Sequence, residues 1–150
     1  MRFLLALCLS VVSLSGAGEL SGRRAPGFAL LDSTLTRYHD PQDYRGKILL
    51  VDIMLTTCPH CQQLSGVLEE AARRYKGRVQ VLSIVIPPDN QTTVAKYIAE
   101  KKITNPILFD CGQVTASYLK ATPQNSRIEV PHLFIIDEQG MIRNDYGYSE

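Results

Sequence analysis

An excess of either charge is the first thing this sequence lacks. Sixteen Lys and Arg stand against fifteen Asp and Glu, a formal balance of +1 that includes Arg2. Without a basic or acidic block, nothing in the composition favours a nucleic acid or an acidic membrane surface as partner. Metal-ligand spacing is also missing. One C-x-x-C occurs, Cys58 to Cys61, and neither a second C-x-x-C nor paired histidines follow to complete the four ligands of a structural zinc, so no metal site is expected. Internal repeats and low-complexity tracts are absent. The apolar stretch Phe3 to Leu14 is short for a membrane span.

What is present reads as one ordinary domain. The chain has 150 residues, 45% of them hydrophobic, which is long enough to bury a core. Residues 1–17 read as a secretory signal, with Arg2 as the positive region, Phe3 to Leu14 as the apolar stretch and Ser15-Gly16-Ala17 as small residues at the cleavage position. Cys8 follows Leu7, where a lipoprotein site wants a small residue, so no lipid anchor is expected there. Export implies an oxidising compartment in which thiol exchange is a working chemistry. Residues 18–24 read as a polar, flexible lead-in and 25–150 as the folded domain.

The strongest signal is Leu50-Val51-Asp52-Ile53-Met54-Leu55-Thr56-Thr57-Cys58-Pro59-His60-Cys61. Ile48 to Leu55 is apolar apart from Asp52, as in a central strand covered on both faces. Pro59 lacks an N–H and has φ preset near the helical value, which suits a first helical position, and a helix can continue through Tyr75. Cys58 then sits at a helix N-terminus, where unpaired N–H groups and the positive end of the dipole stabilise a thiolate. Cys61, one turn on, can close on a mixed disulfide and release the product. This spacing makes Cys58 the nucleophile and Cys61 the resolving thiol. A bridge closing so short a loop would add little as a structural staple. His60 either tunes Cys58 or is a solvated turn residue.

Around this stretch the pattern alternates strand and helix. A hairpin is expected from Phe28 to Leu31 and Thr36 to Tyr38, followed by strands at Val79 to Ile86, Ile107 to Phe109, His132 to Asp137 and Met141 to Tyr148. Helices are expected from Asp89 or Asn90 to about Lys101 and from Gln113 to Lys120. The order β-α-β-α-β-α-β-β after the hairpin predicts an α/β fold, a mixed sheet with helices on both faces.

Three segments resemble the thioredoxin superfamily and, within it, the bacterial TlpA/ResA-like thiol-disulfide oxidoreductases. Ala25-Pro26-Gly27-Phe28-Ala29-Leu30 is similar to the opening A-P-x-F-x-L, and Tyr44-Arg45-Gly46-Lys47-Ile48-Leu49-Leu50-Val51 to Y-R-G-K-x-x-L-V. Val130-Pro131-His132-Leu133-Phe134-Ile135-Ile136-Asp137-Glu138-Gln139-Gly140 is similar to the segment that carries a cis-proline. The resemblance implies a thioredoxin-like fold, a cis Val130–Pro131 bond beside Cys58, and a Val130 backbone that pairs with an extended substrate strand. It implies that Asp52, six residues before Cys58, is a buried carboxylate that takes the proton of Cys61; the alternative is an Asp satisfying a backbone group. It also implies periplasmic or otherwise exported enzymes whose redox-active disulfide, here Cys58–Cys61, needs no bound cofactor. Their partners would be protein thiols and disulfides and a membrane electron-donor protein.

The chain departs from that pattern in three places. The aromatic residue expected shortly before Cys58 is absent, Met54-Leu55-Thr56-Thr57 standing there instead, and Ala121 to Glu129 inserts polar residues before Pro131. The sequence stops at Glu150, where the family continues into a final helix, so the fold is shortened or the sequence is a fragment; an uncovered apolar face would invite a dimer or a partner. Cys111 is expected as a small buried residue. The Pro59-His60 pair resembles the oxidant DsbA, which sets active-site dipeptide against architecture; service as a reductase is favoured over net oxidation. A peroxidase would want proline and threonine where Val51 and Leu55 stand. A Sco-like copper module would take His132 as third ligand, but that family separates its cysteines by three residues and this chain by two.

Overall fold

The computed structural model describes residues 19–148, so the expected signal at 1–17 lies outside the described residues. Among the described residues the strands and α-helices follow the anticipated order: β1 Leu30–Leu31, β2 Tyr38–His39, β3 Ile48–Met54, α1 Pro59–Arg74, β4 Val79–Val85, α2 Gln91–Lys101, β5 Ile107–Phe109, α3 Gln113–Leu119, β6 His132–Ile136 and β7 Ile142–Tyr146, with one short 3-10 turn at Pro41–Tyr44. The sheet runs β5-β4-β3-β6-β7. Strands β3, β4 and β5 are parallel, while β6 and β7 pair antiparallel. The mixed sheet of a thioredoxin-like fold is therefore present, preceded by the antiparallel β1–β2 pair.

Because side chains alternate across a strand, β3 feeds both faces. Leu49, Val51 and Ile53 point to one core with Leu82, Ile84, Leu108, Phe134 and Ile136, which α3 covers through Val114 and Tyr118 and the N-terminal segment through Phe28 and Leu30. Leu50 and Met54 point to the other, where α1 contributes Leu68 and Cys61 and α2 contributes Val94 and Tyr97. Helices thus lie on both faces. Asp52 shares the second face, in register with Ser83 on β4 and Leu133 on β6.

The helix ends follow their local chemistry. Asn90 caps α2, its Oδ1 accepting from Thr92 N–H at 2.9 Å and Thr93 N–H at 3.3 Å. Asp110 accepts from the N–H groups of Val114 and Thr115 at 2.9 and 3.0 Å and so fixes the first turn of α3. No helix among the described residues is long and apolar enough to cross a membrane.

Two expectations need correction. Residues 19–24 do not form a free lead-in. Leu20 is buried and donates its N–H to Asp145 Oδ2 at 3.1 Å. Gly22 N–H donates to the Ile142 carbonyl at 2.7 Å and Ile142 N–H to that of Arg23 at 2.8 Å, so the segment occupies backbone groups of β7 that an edge strand would otherwise leave unpaired. Cys111 is exposed rather than buried. It lies in the turn after β5, where Asp110 is turned inward to cap α3 and Gly112, at φ +96°, completes the bend, leaving Cys111 outside.

Candidate active site

Strand β3 delivers the motif and its neighbours clamp the exit. Asp89, just before α2, accepts from Thr56 N–H at 2.7 Å and from Thr56 Oγ1 at 2.5 Å, and Gln62 Nε2 donates to the Thr56 carbonyl at 2.8 Å. Cys58 is the N-cap of α1, in extended backbone at φ −79° and ψ 118°, with Pro59 in the first helical position. Its Sγ takes the place of a capping oxygen, accepting from Cys61 N–H at 3.2 Å. A thiolate at that point would be held by a helix-terminal N–H and by the dipole.

The two thiols, both free, differ sharply in surroundings. Cys58 is partly exposed and Cys61 is fully buried. Burial pushes the Cys61 thiol up, and its contacts with Cys58 and the nearby Asp52 charge add to the rise. Asp52 is itself completely buried, with neither carboxylate oxygen hydrogen-bonded. Burial pushes its carboxyl up to about 7. The structure therefore does not hold the alternative of an Asp satisfying a backbone group.

Across the motif, the Val130–Pro131 bond is cis, and Cys58 Sγ lies 3.9 Å from the Val130 carbonyl. Cys58, Cys61, Asp52, Val130 and Pro131 are thus gathered at one end of the sheet. His60 sits beside them but turns away from the buried side. Its Nε2 meets the Tyr148 hydroxyl at 3.1 Å, the ring centroids being 4.9 Å apart. His60, Leu64, Pro131, Leu133, Tyr146 and Tyr148 line an open cavity of about 250 Å³.

Sequence reasoning missed Tyr146 and Tyr148. Their approach depends on the β6–β7 register, which sets Tyr146 opposite Leu133, and no local signal carries it. Nothing in the sequence assigns Tyr97, on α2, to this site. The structure buries it in the cluster that holds Cys61, its hydroxyl next to Ser65. His132 directs Nε2 to Asp145 and forms no cluster with the two cysteines.

Known proteins agree with this geometry. The chain is similar to the thioredoxin-like protein YneN of Bacillus subtilis, 26% identical over 130 residues that cover 85% of this chain and 71% of that protein. The fold is similar to the thioredoxin domain of a Bacteroides vulgatus thiol-disulfide oxidoreductase, at TM-score 0.71 and 21% identity, over 83% of this chain and 86% of that one. It is equally similar to a putative thiol:disulfide interchange protein DsbE from Chlorobium tepidum, at TM-score 0.71 and 22% identity, over 85% and 84%. The AhpC/TSA family matches residues 21–145. The chain belongs to that thioredoxin-like family and is a thiol-disulfide oxidoreductase.

Proposed function

We propose that the chain is an exported oxidoreductase that reduces disulfides in protein substrates through Cys58 and Cys61. The observation that carries this reading is the asymmetry of the dithiol: an accessible Sγ held at a helix N-cap, and a buried partner whose proton is retained until a base takes it. The Cys58 thiolate attacks one sulfur of a substrate disulfide, forms the mixed disulfide and expels the other sulfur as a thiolate, which takes a proton from solvent. Cys61 then gives its proton to Asp52 and attacks Cys58 Sγ. The Cys58–substrate bond breaks, the electron pair leaves on the second substrate thiolate, and the enzyme becomes the Cys58–Cys61 disulfide. The substrate has gained two electrons, which a membrane electron-donor protein must return. Val130, beside Cys58, offers its backbone to an extended substrate segment.

A peroxidase role finds no support at Val51 and Leu55, which stand where that chemistry wants proline and threonine. The copper reading draws no support from His132, which forms no cluster with Cys58 and Cys61. The oxidant reading rests on Pro59-His60, and the reduction potential separates it from ours. Titration of the purified protein against a glutathione buffer is expected to give a value near or below thioredoxin's, about −270 mV, whereas a value near about −120 mV would reassign it as an oxidant. In the same preparation Cys58→Ser should abolish reduction of a protein disulfide. Cys61→Ser should accumulate a mixed disulfide through Cys58, visible by mass; a trapped species on Cys61 in Cys58→Ser instead would reverse the two roles.

A further inference from the structure

The near balance of charge over the chain, +1, conceals an uneven placement. Strands β3 and β4 run parallel, and α1 and α2 return from their far ends, so the start of β3 and the last turns of both helices meet at one end of the molecule. Lys47 precedes β3, Arg73 and Arg74 close α1, Lys76 and Arg78 stand in the turn to β4, and Lys101 and Lys102 end α2. All but Lys47 are exposed. Lys47, Arg73, Lys76 and Lys102 surround one open cavity of about 590 Å³. Ile48 N–H donates to the Arg78 carbonyl at 2.9 Å, which brings Arg78 beside Lys47.

Three of the carboxylates near this end are already engaged. Glu69 accepts from Thr104 N–H and Oγ1 at 3.0 and 2.6 Å and from Asn105 N–H and Nδ2 at 2.9 and 2.7 Å, which ties α1 to the approach to β5. Glu70 pairs with Arg73, and Glu100 with Lys96 at 3.8 Å. Glu138 comes in from the β6 side, where its carbonyl accepts from Gly46 N–H at 3.0 Å. Basic residues at a helix C-terminus complement its dipole, but about half a charge per helix end asks for far fewer than these seven. Tyr75 adds an exposed ring among them, with the Arg74 guanidinium 5.7 Å from its centroid. A ring that carries a hydroxyl and stands among cations suits the boundary between headgroups and acyl chains.

We propose that this end of the molecule docks on an anionic phospholipid surface, its Lys and Arg side chains meeting the phosphate headgroups and Tyr75 reaching the interface. A cluster of about four to eight basic residues is of the size that holds a protein to anionic lipid. The charges come from three separate elements and face outward, which matches a broad plane of headgroups better than a single acidic peptide. Cys58 caps the opposite end of α1, and 16 residues at about 1.5 Å each put it roughly 24 Å from Arg74. Docking therefore leaves Cys58 and the Val130–Pro131 turn open to substrate. The binding reads no redox step, so it stands or falls independently of the direction of electron flow.

Sedimentation with vesicles of phosphatidylcholine, alone or mixed equally with phosphatidylglycerol, tests this at low ionic strength. The protein should bind the mixed vesicles and not phosphatidylcholine alone, and added salt should release it. Lys76→Glu with Arg78→Glu should lower the affinity about twenty-fivefold or more, at about fivefold for each basic residue lost. Lys76→Arg with Arg78→Lys keeps both charges and should bind as the wild type does. Arg37→Glu with Arg127→Glu removes the same charge near the other end, since Gln91 at the start of α2 contacts the Arg37 turn through Ser33 and Arg127 lies three residues before Val130. That pair should stay close to wild type. An equal loss in the two charge-reversed pairs would make the effect one of net charge and overturn the patch, as would equal binding to phosphatidylcholine alone. No binding to mixed vesicles also overturns it, and capture of poly-glutamate in their place would assign the cations to an acidic protein. Vesicle-bound protein should still reduce an added disulfide as fast as free protein; suppression would mean that Cys58 faces the lipid and that the docking end is wrong.

Discussion

His60 Nε2 and the Tyr148 hydroxyl meet at 3.1 Å, which ties one of the two residues between the cysteines to the end of β7. An imidazole beside a thiolate stabilises it when the ring is protonated, and stabilising the reduced form raises the reduction potential. Tyr148 holds the ring over the Pro131 cavity. Two substitutions should therefore act with opposite sign. His60→Ala removes the imidazole and should lower the potential, by on the order of 30 mV for each 1.4 kcal/mol of thiolate stabilisation lost. Tyr148→Phe keeps the ring edge but frees His60 to turn toward Cys58, and should raise the potential by less. Glutathione titration of both variants decides the matter, since shifts of the same sign would show that the contact does not steer His60.

At the scale of elements, the approach to Cys58 depends on contacts between loops distant in sequence. Asp89 accepts from Thr56 N–H and Oγ1 on one side and from Thr93 Oγ1 at 2.7 Å on the other, joining the strand exit of β3 to the first turn of α2. Removing it leaves partly buried donors without partners, at about 1–3 kcal/mol for the set. Asp89→Ala should lower the urea midpoint accordingly and slow disulfide reduction, because Thr56 is two residues from Cys58; an unshifted midpoint would mean that water replaces the carboxylate without loss. This tie marks the limit of what was legible beforehand. Period and punctuation located each strand and helix to within a few residues, because β3 and α1 carry local signals: a continuous apolar run and a proline at the first helical position. They also located Cys58, Cys61 and Asp52, which are fixed by spacing along one strand and one turn. Tyr97, Tyr148 and the docking of residues 19–24 on β7 were not legible, since each depends on which strands become neighbours. Cys111 was misread because burial was inferred from residue type, whereas the cap on Asp110 decides which way the turn faces.

For the whole molecule, Asp52 is a liability that the fold carries. The native protein keeps its proton up to about pH 7, while an aspartate in the unfolded chain loses it near 4. Between these values the folded state binds one proton more than the unfolded state, so this group makes stability fall as pH rises, with the whole loss present above pH 7. At 1.36 kcal/mol per pH unit, about three units amount to roughly 4 kcal/mol, a large share of the 5–15 kcal/mol that typically separates native from unfolded chains. Asp52→Asn has no such slope. Urea unfolding of reduced wild type and Asp52→Asn at pH 5 and pH 8 should therefore diverge, the variant gaining about 3 kcal/mol relative to wild type across that interval. Taking the difference cancels every other titrating group common to both proteins. Parallel pH curves would mean that Asp52 is not held protonated by burial, and a carboxyl that ionises freely could not be poised to take the Cys61 proton near neutrality. The same measurement therefore bears on mechanism: the destabilisation it reads is what keeps an accepting group with the right affinity beside a buried thiol.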